Sequence, residues 1–335
     1  MIEKVRFGVL ACSSVAKRRT IPAILASGNA RLERIGSRSA QRARFYAAEF
    51  QCAKFGTYED VLRDDAVDTV YISTPPALHE HWIREAARHG KHVYCEKPAV
   101  GSYAAAIELL DLFEKKGLRL MEGYMFRYHP QHALVRALIS KGRIGTPRLF
   151  ESWYIYPRPD AGNIRLEASL GGGVFFDAAG YSVVAALELF TDQPLSVFCS
   201  MSMENTTRVD DLVSMQIQFS GGQLAQSIAA FDLQYRARYA VTGTAGRLEV
   251  ERAYAVGPDV KTKVTLETDF GQETFEVPPA DQFRLMIEDF SNALLGAPGP
   301  GESFESKLLR VHRVMDAARR SYLEKRMIEC TENRA

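Results

Sequence analysis

Short apolar runs and stretches of helical spacing alternate through the first third of the chain. Residues 5–10 (VRFGVL) are a strand-like run, and 21–27 repeats its apolar side chains at helical intervals. Strand-like 32–37 then precedes helical 40–50. A short helix over 57–64, with Tyr58, Val61 and Leu62 on one face, precedes the buried-strand pattern VDTVYIS at 67–73, which Pro75-Pro76 ends. Helical 78–89 stops at Gly90, where a left-handed residue fits, and strand 92–95, helix 103–116 and strand 118–122 follow. This alternation predicts βαβ units around a parallel sheet buried on both faces. Such a sheet gathers ligands beyond the carboxyl ends of its strands.

Past Gly123 the pattern changes. A helix over 129–141 leads to strand 148–156, a polar loop, and then GGGVFFDAAGYSVVAALELF. Hairpins are expected around Ser220-Gly221-Gly222, Thr244-Ala245-Gly246 and Phe270-Gly271. Helices over 282–295 and 303–324 enclose a Gly/Pro loop at 296–301. The expected division is therefore an α/β domain over 1–122, with a mostly parallel sheet, and an α+β domain over 123–335. The second has a large, open, mostly antiparallel sheet with helices gathered on one face. Its bare face predicts a homo-oligomer, dimer or tetramer, assembled through that sheet.

Composition narrows the class. The 335 residues are 46% hydrophobic and 25% charged, with a formal net charge of +1. That balance suits a globular protein and supplies no field for nucleic acid or an anionic membrane. The N-terminal apolar run is too short for a signal peptide, and no apolar stretch is expected to reach the roughly 20 residues of a membrane span. Five scattered cysteines without C-x-x-C spacing argue against disulfides and structural zinc, and for a cytoplasmic setting. No phosphate loop of the G-x-x-x-x-G-K type, nucleophile elbow or H-E-x-x-H occurs; His79 and His81 point to different helix faces, and His129 and His132 lack an evident carboxylate or thiol partner, so no metal is expected.

The turn after the first strand, ACSSVAKRR, stands where a dinucleotide fold places G-x-G-x-x-G, but Ala11, Ser13 and Ala16 occupy the glycine positions. All three are small, so close approach of a pyrophosphate is expected provided φ stays negative at Ala11. Cys12, Ser14 and Val15 complete the turn, and the serines open a helix whose free N–H groups favour an anion. The same residues also fit an ordinary strand-to-helix turn. After the second strand, where an NAD site carries an acid, the chain reads GSRSAQRA. Ser37, Arg38 and Arg42 suit a 2′-phosphate, so NADP(H) is expected in preference to NAD(H).

Two further motifs carry chemistry. VYCEKPAV puts Glu96 and Lys97 at the carboxyl end of a strand, where a lysine can bond a substrate oxygen. GGGVFFDAAGY places Asp177 and Tyr181 four apart on one helix face, and a tyrosine hydroxyl is a competent general acid. Together with Thr74-Pro75 followed by His79, the CEKP and GGG-x-x-x-D-x-x-G-Y motifs resemble the glucose–fructose oxidoreductase/inositol dehydrogenase (Gfo/Idh/MocA) family over the whole chain. That resemblance implies a Rossmann domain, a second open-sheet domain, and Lys97 as the catalytic lysine at the nicotinamide. Asp177 is implied as a substrate contact, with Thr74, Pro75, His79 and Glu96 at the cofactor.

Tyr181 replaces the histidine of inositol-dehydrogenase-like members. It is similar to the nucleotide-sugar 3-ketoreductases and the dihydrodiol/xylose dehydrogenases, where tyrosine is taken as the proton donor. CSSVAKRRTIPA, RYHPQ and GNIRLEASLGGG are similar to the first branch. Tyr124, Arg127 and Arg165 are then expected at the substrate, the arginines meeting an anionic group such as a diphosphate; pairing with acids such as Glu151 or Glu167 is the alternative. The expectation is an NADPH-dependent reductase of a keto sugar, a nucleotide-linked 3-keto-deoxyhexose being the leading candidate. Alternatives are an NADP-dependent aldose or trans-dihydrodiol dehydrogenase, a hydrolase or lyase using nicotinamide transiently, and a non-catalytic NADP(H) sensor.

Overall fold

The computed structural model describes residues 4–204, 206–297 and 301–330. The chain divides into two compact units, Met1–Met125 with Asp281–Leu309, and Phe126–Ala280 with Arg310–Ala335.

In the first unit six strands form one parallel sheet: β1 (Val5–Leu10), β2 (Ala30–Gly36), β3 (Lys54–Gly56), β4 (Thr69–Ile72), β5 (His92–Cys95) and β6 (Leu120–Glu122). Their spatial order is 3-2-1-4-5-6, the doubly wound dinucleotide order, with its switch point between β1 and β4. Helices α1 (Ile21–Ala26), α2 (Ala40–Glu49), α3 (Tyr58–Leu62), α4 (His79–Arg88) and α5 (Tyr103–Lys115) connect them. Local chemistry sets their starts: Ser39 caps α2, Ser102 caps α5, and Thr57 with Asp60 closes a capping box on α3. The edge strand β3 has only three residues and escaped the sequence reading.

Strands β7 (Pro147–Tyr156), β8 (Pro194–Met203), β9 (Asp210–Phe219), β10 (Leu224–Phe231), β11 (Arg236–Gly243), β12 (Arg247–Val250), β13 (Thr262–Thr268), β14 (Gly271–Val277) and β15 (Ile328–Glu329) build the second sheet. Its order is 14-13-12-11-7-10-9-8-15, and every neighbouring pair is antiparallel except β7 with β10. The α6 (Pro130–Ser140) and α7 (Gly180–Leu189) helices also belong to this unit. Trp153, Phe198 and Leu212 are exposed, and the strand register places them on one face of the sheet.

The α8 helix (Gln282–Leu294) and the start of α9 (Phe304–Glu324) return to the first unit, although the sequence reading placed 123–335 together. Phe283, Met286, Ile287 and Phe290 are buried; α8 packs on α1 and β2, and Asn29 donates to the Glu288 carbonyl (2.9 Å) and to Asn292 Oδ1 (2.7 Å). An amphipathic pattern specifies a buried face but not the surface that covers it. Of the loop expected over 296–301, residues 298–300 lie outside the described residues.

Among the described residues one apolar stretch, Ala168–Leu189, is long and apolar enough to cross a bilayer, with mean hydropathy 1.4 in its most apolar window. No apolar stretch of that length was expected from the sequence. The stretch is a core helix, with 72% of that window buried in the fold.

At the switch point the chain leaving β1 turns in a way the sequence reading did not anticipate. Ala11 has φ +86°, while its N–H stays bonded to the Gly36 carbonyl (3.1 Å). Alanine therefore does not substitute for glycine there with negative φ. The backbone needs a left-handed residue, which costs an L-amino acid about 1–2 kcal/mol. Ala11→Gly is expected to stay within about 1 kcal/mol of wild type, relief of φ offsetting loss of one buried methyl. Ala11→Val is expected to lose about 2 kcal/mol or more, because a β-branched residue fits that φ worst. Urea titration of both variants checks this, and equal stability of the valine variant would contradict the left-handed turn.

Candidate active site

The loop after β1 is held at the switch point by hydroxyls. Ser13 Oγ donates to Ser73 Oγ (2.8 Å) and caps the Ala16 N–H (3.1 Å), while Ser73 Oγ donates to the Ala11 carbonyl (3.1 Å). The Ser13 side chain thus braces β1 against the end of β4. The Lys17 N–H closes the first turn on the Ser13 carbonyl, and the Tyr46 hydroxyl reaches the same carbonyl at 3.3 Å. Among the described residues no protein acceptor takes up the N–H of Ser14 or Val15. Cys12 is buried, its thiol over the Arg42 carbonyl (3.7 Å), and burial pushes its pKa up.

Ser37 is buried at the end of β2, its hydroxyl accepting the Ser39 N–H (3.2 Å). Arg38 and Arg42 are exposed, and no carboxylate among the described residues pairs with either. Arg38 lies against the Tyr58 hydroxyl. Free helix-start N–H groups and acid-free arginines beyond β2 fit a dinucleotide carrying a 2′-phosphate. Thr74 Oγ1 is buried and meets no hydrogen-bond partner among the described residues.

The Lys97 loop is pinned on both sides. The Tyr71 hydroxyl donates to Glu96 Oε1 (2.7 Å), the Glu96 N–H bonds the Ile72 carbonyl (2.9 Å), and Glu122 Oε1 accepts the Ala99 N–H (2.8 Å). The Lys97-Pro98 peptide is cis. His79, expected at the cofactor, is fully buried instead, with its ring nitrogens 2.7 Å from the Pro98 and Thr74 carbonyls. It staples the Thr74-Pro75 turn to the Lys97-Pro98 turn, and burial lowers its pKa against the pull of those two carbonyls. Tyr124 is buried just after β6.

The second unit carries Asp177 and Tyr181 on one continuous helical run. Its first turns, Phe175–Ala179, are a π-helix, a widening that frequently accompanies functional sites. Asp177 Oδ2 accepts from Arg165 Nε (2.7 Å) and from the Tyr156 hydroxyl (2.6 Å). The carboxylate beside it keeps Arg165 more firmly protonated than usual. Burial, reinforced by Asp177, pushes the Tyr156 phenol far up, so Tyr156 serves as a neutral donor.

Tyr181 is buried among rings: Tyr154 edge-on at 5.0 Å, Phe126 and Tyr254 each at 5.5 Å. Behind it, Ser152 Oγ joins the Tyr254 hydroxyl to Ser182 Oγ (2.7 Å). Arg127 pairs with Glu188, which also holds Arg136 (3.1 Å). Both candidate diphosphate arginines are therefore met by acids, though not by Glu151 or Glu167.

The three glycines ahead of this run have separate reasons. Gly171 and Gly173 have φ +80° and +103°. A Cβ on Gly172 would lie 2.7–2.9 Å from three backbone carbonyls, those of Arg165, Glu167 and Ile164. Tyr156, Glu188, Glu122 and Tyr71 were missed from sequence. Only Tyr156 carried a signal there, in the alternating aromatics of WYIY. No group of three His, Cys, Asp or Glu among the described residues is placed to hold a metal.

Comparison with known proteins gives this geometry a family. A model described as an oxidoreductase family with an NAD-binding Rossmann fold matches residues 5–124, and the Gfo/Idh/MocA C-terminal domain matches 132–249. The chain is 30% identical to dTDP-3,4-didehydro-2,6-dideoxy-alpha-D-glucose 3-reductase of Streptomyces antibioticus, covering 94% of this chain and 98% of that one. It is 33% identical to D-xylose 1-dehydrogenase (NADP+) 2 of Haloferax volcanii, over 93% and 95%. In structure it is similar to a 3-ketoreductase from Actinomadura kijaniata in complex with NADP and TDP-benzene, at TM-score 0.91 and 31% identity over 96% and 98%. With both domain models matched in order and full-length relatives at this identity, the chain belongs to the Gfo/Idh/MocA family of NAD(P)-dependent oxidoreductases.

Proposed function

We propose that this oxidoreductase reduces a nucleotide-linked 3-keto-deoxyhexose with NADPH. The observation that carries the proposal is the Arg165–Asp177–Tyr156 cluster, whose Asp177 stands on the same helical run as Tyr181. Full-length similarity to the sugar 3-reductases, at 30–33% identity, supports the substrate class. NADPH, when bound, supplies the hydride. Ser14 and Val15 would meet its pyrophosphate through their N–H groups, and Ser37, Arg38 and Arg42 its 2′-phosphate. The loop of Thr74, Pro75, Glu96 and Lys97 would line the nicotinamide side, with His79 and Ser13 bracing it.

The chemistry asked of the protein is a proton at the carbonyl oxygen and a fixed sugar pose. Tyr181 gives its phenolic proton to that oxygen, and Lys97 polarises the oxygen and supports the phenolate that remains. Asp177, held by Arg165 and Tyr156, orients a neighbouring hydroxyl. Asp177 is already neutralised by Arg165, so this pose suits an uncharged sugar ring. Tyr124 and Arg127 are assigned to the substrate side. A second reading, oxidation of a free aldose, rests on the 33% identity to the xylose dehydrogenase. A thermal-shift panel separates the two: stabilisation by dTDP-linked sugars with NADPH favours the first, and by D-xylose alone the second. The chain is proposed to work in the cytoplasm.

Tyr181→Phe is expected to lower kcat by ~100-fold or more, leaving the NADPH dissociation constant within about twofold, because only the proton is removed. Wild-type turnover by this variant would dismiss Tyr181 as donor. Arg38→Glu is expected to raise KM for NADPH by about 10- to 100-fold with little change for NADH, the loss of a charge-assisted contact. Steady-state kinetics with both cofactors measures it, and an equal effect on NADH would refute the 2′-phosphate assignment. The exposed apolar residues of the second sheet are proposed to be covered by another copy. Light scattering is expected to show a dimer or tetramer that Trp153→Glu dissociates; an unchanged mass would place the interface elsewhere.

A further inference from the structure

The helical run that carries Asp177 and Tyr181 is anchored by a residue from a different element. Asp210 opens β9, and its Oδ2 accepts the N–H of Phe175 at 2.5 Å, in the first turn of the run. The turn before it presses on the same carboxylate: a Cβ at Gly173 would lie 2.1 Å from Asp210 Oδ1. The third glycine of the GGG motif is thus needed for a left-handed φ and for making room for Asp210. A carboxylate at a helix N-terminus is favoured by the exposed N–H groups there and by the helix dipole. Two residues along the run from Phe175 stands Asp177, and six along stands Tyr181.

We propose that Asp210 is a positioning residue for the reaction: its ionised carboxylate holds the first turn of the wide helical segment and so sets where Asp177 and Tyr181 stand. The inference rests on the reading of Tyr181 as proton donor. The Phe175–Ala179 segment is the wide π-turn, which has one more residue per hydrogen-bonded ring than an α-helix and so a less determined start. A fixed acceptor at Phe175 supplies that start. The displacement it prevents is small, but misplacing a reacting group by about 1 Å can cost on the order of 100-fold in rate.

The anchor is also pH-sensitive. Burial pushes the Asp210 carboxyl up to about 6, while the N–H groups of Phe175, Asp210 and Val174 pull it down and Asp211 on the same strand raises it. Cys199 of β8 feels the same carboxylate electrostatically, its own thiol pushed up to about 12 by burial and by Asp210. The folded pKa lies above the ordinary aspartate value, so ionisation of Asp210 costs stability as pH rises through 4 to 6. The charged form that organises the helix start is thus the one the fold tolerates least. Activity and stability should therefore move in opposite directions when the charge is removed.

Asp210→Asn in the full chain tests this. The assay is NADPH-driven reduction of the dTDP-linked 3-keto sugar or NADP+-driven oxidation of D-xylose, whichever the wild type carries out. The expected result is a kcat lower by ~10-fold or more, an NADPH dissociation constant within about twofold, and a Tm at pH 7.5 equal to or above wild type. The wild-type kcat profile should break near pH 6 on its acid side, and the break should vanish in the variant. A purely structural Asp210 would leave kcat and the profile unchanged, which overturns the proposal. Hydrogen exchange on the wild type, which needs no variant or substrate, should show amide protection at 175–181 falling selectively below about pH 6; protection unchanged across that range also overturns it. Tyr181→Phe run in parallel keeps the two readings apart. If it retains turnover, the proton-donor reading fails; if it loses turnover while Asp210→Asn does not, only the positioning role of Asp210 fails.

Discussion

The crevice of the first unit depends on one stitch of hydroxyls. At the switch point β1 and β4 send their connections to opposite sides of the sheet, so nothing in the ladder itself fixes the loops beyond them. The Ser73 hydroxyl closes that gap, donating to the Ala11 carbonyl and receiving the proton of Ser13. Because Ser13 is thereby tied down, the helix that follows starts at a fixed point with its first N–H groups outward. The left-handed turn at Ala11 is the conformational cost of bringing that start against the end of β2, where Gly36 accepts the Ala11 N–H.

The same logic governs the Lys97 loop. A lysine at a strand end is mobile unless its neighbours are held, and here the neighbours carry the constraints. Glu96 is held by Tyr71, Pro98 by His79 and Ala99 by Glu122. Buried polar groups are expensive unless paired, so each of these contacts also satisfies a group that could not otherwise be enclosed. His79 illustrates how a family motif can be conspicuous for its support of other residues: it touches two backbone carbonyls that belong to two separate turns.

Much of the architecture was legible in the chain. The apolar runs of β1, β4 and β5 stand within a residue or two of their expected limits, because a strand buried on both faces leaves an unmistakable continuous signal. Hairpin turns at Gly221-Gly222 and Gly271 were marked by their glycines. The three-residue strand β3 was not, since so short an element has no periodicity. Nor was the return of α8 to the first unit, because its partners Asn29 and β2 lie some 260 positions away in sequence.

Taken alone, the sequence determined the two-sheet design, the chemical types available and the motifs that place the chain in its family. Those properties follow from local patterning and from residue identity, which need no knowledge of distant neighbours. Tertiary structure alone decided who meets whom: that Arg165 and Tyr156 share Asp177, that Arg127 goes to Glu188, and that Asp210 grips the helix start. An arginine or aspartate has the same spelling whether it faces water, a ligand or another side chain. The partner is fixed by register and packing across the fold, and those are set by contacts between positions far apart in the chain.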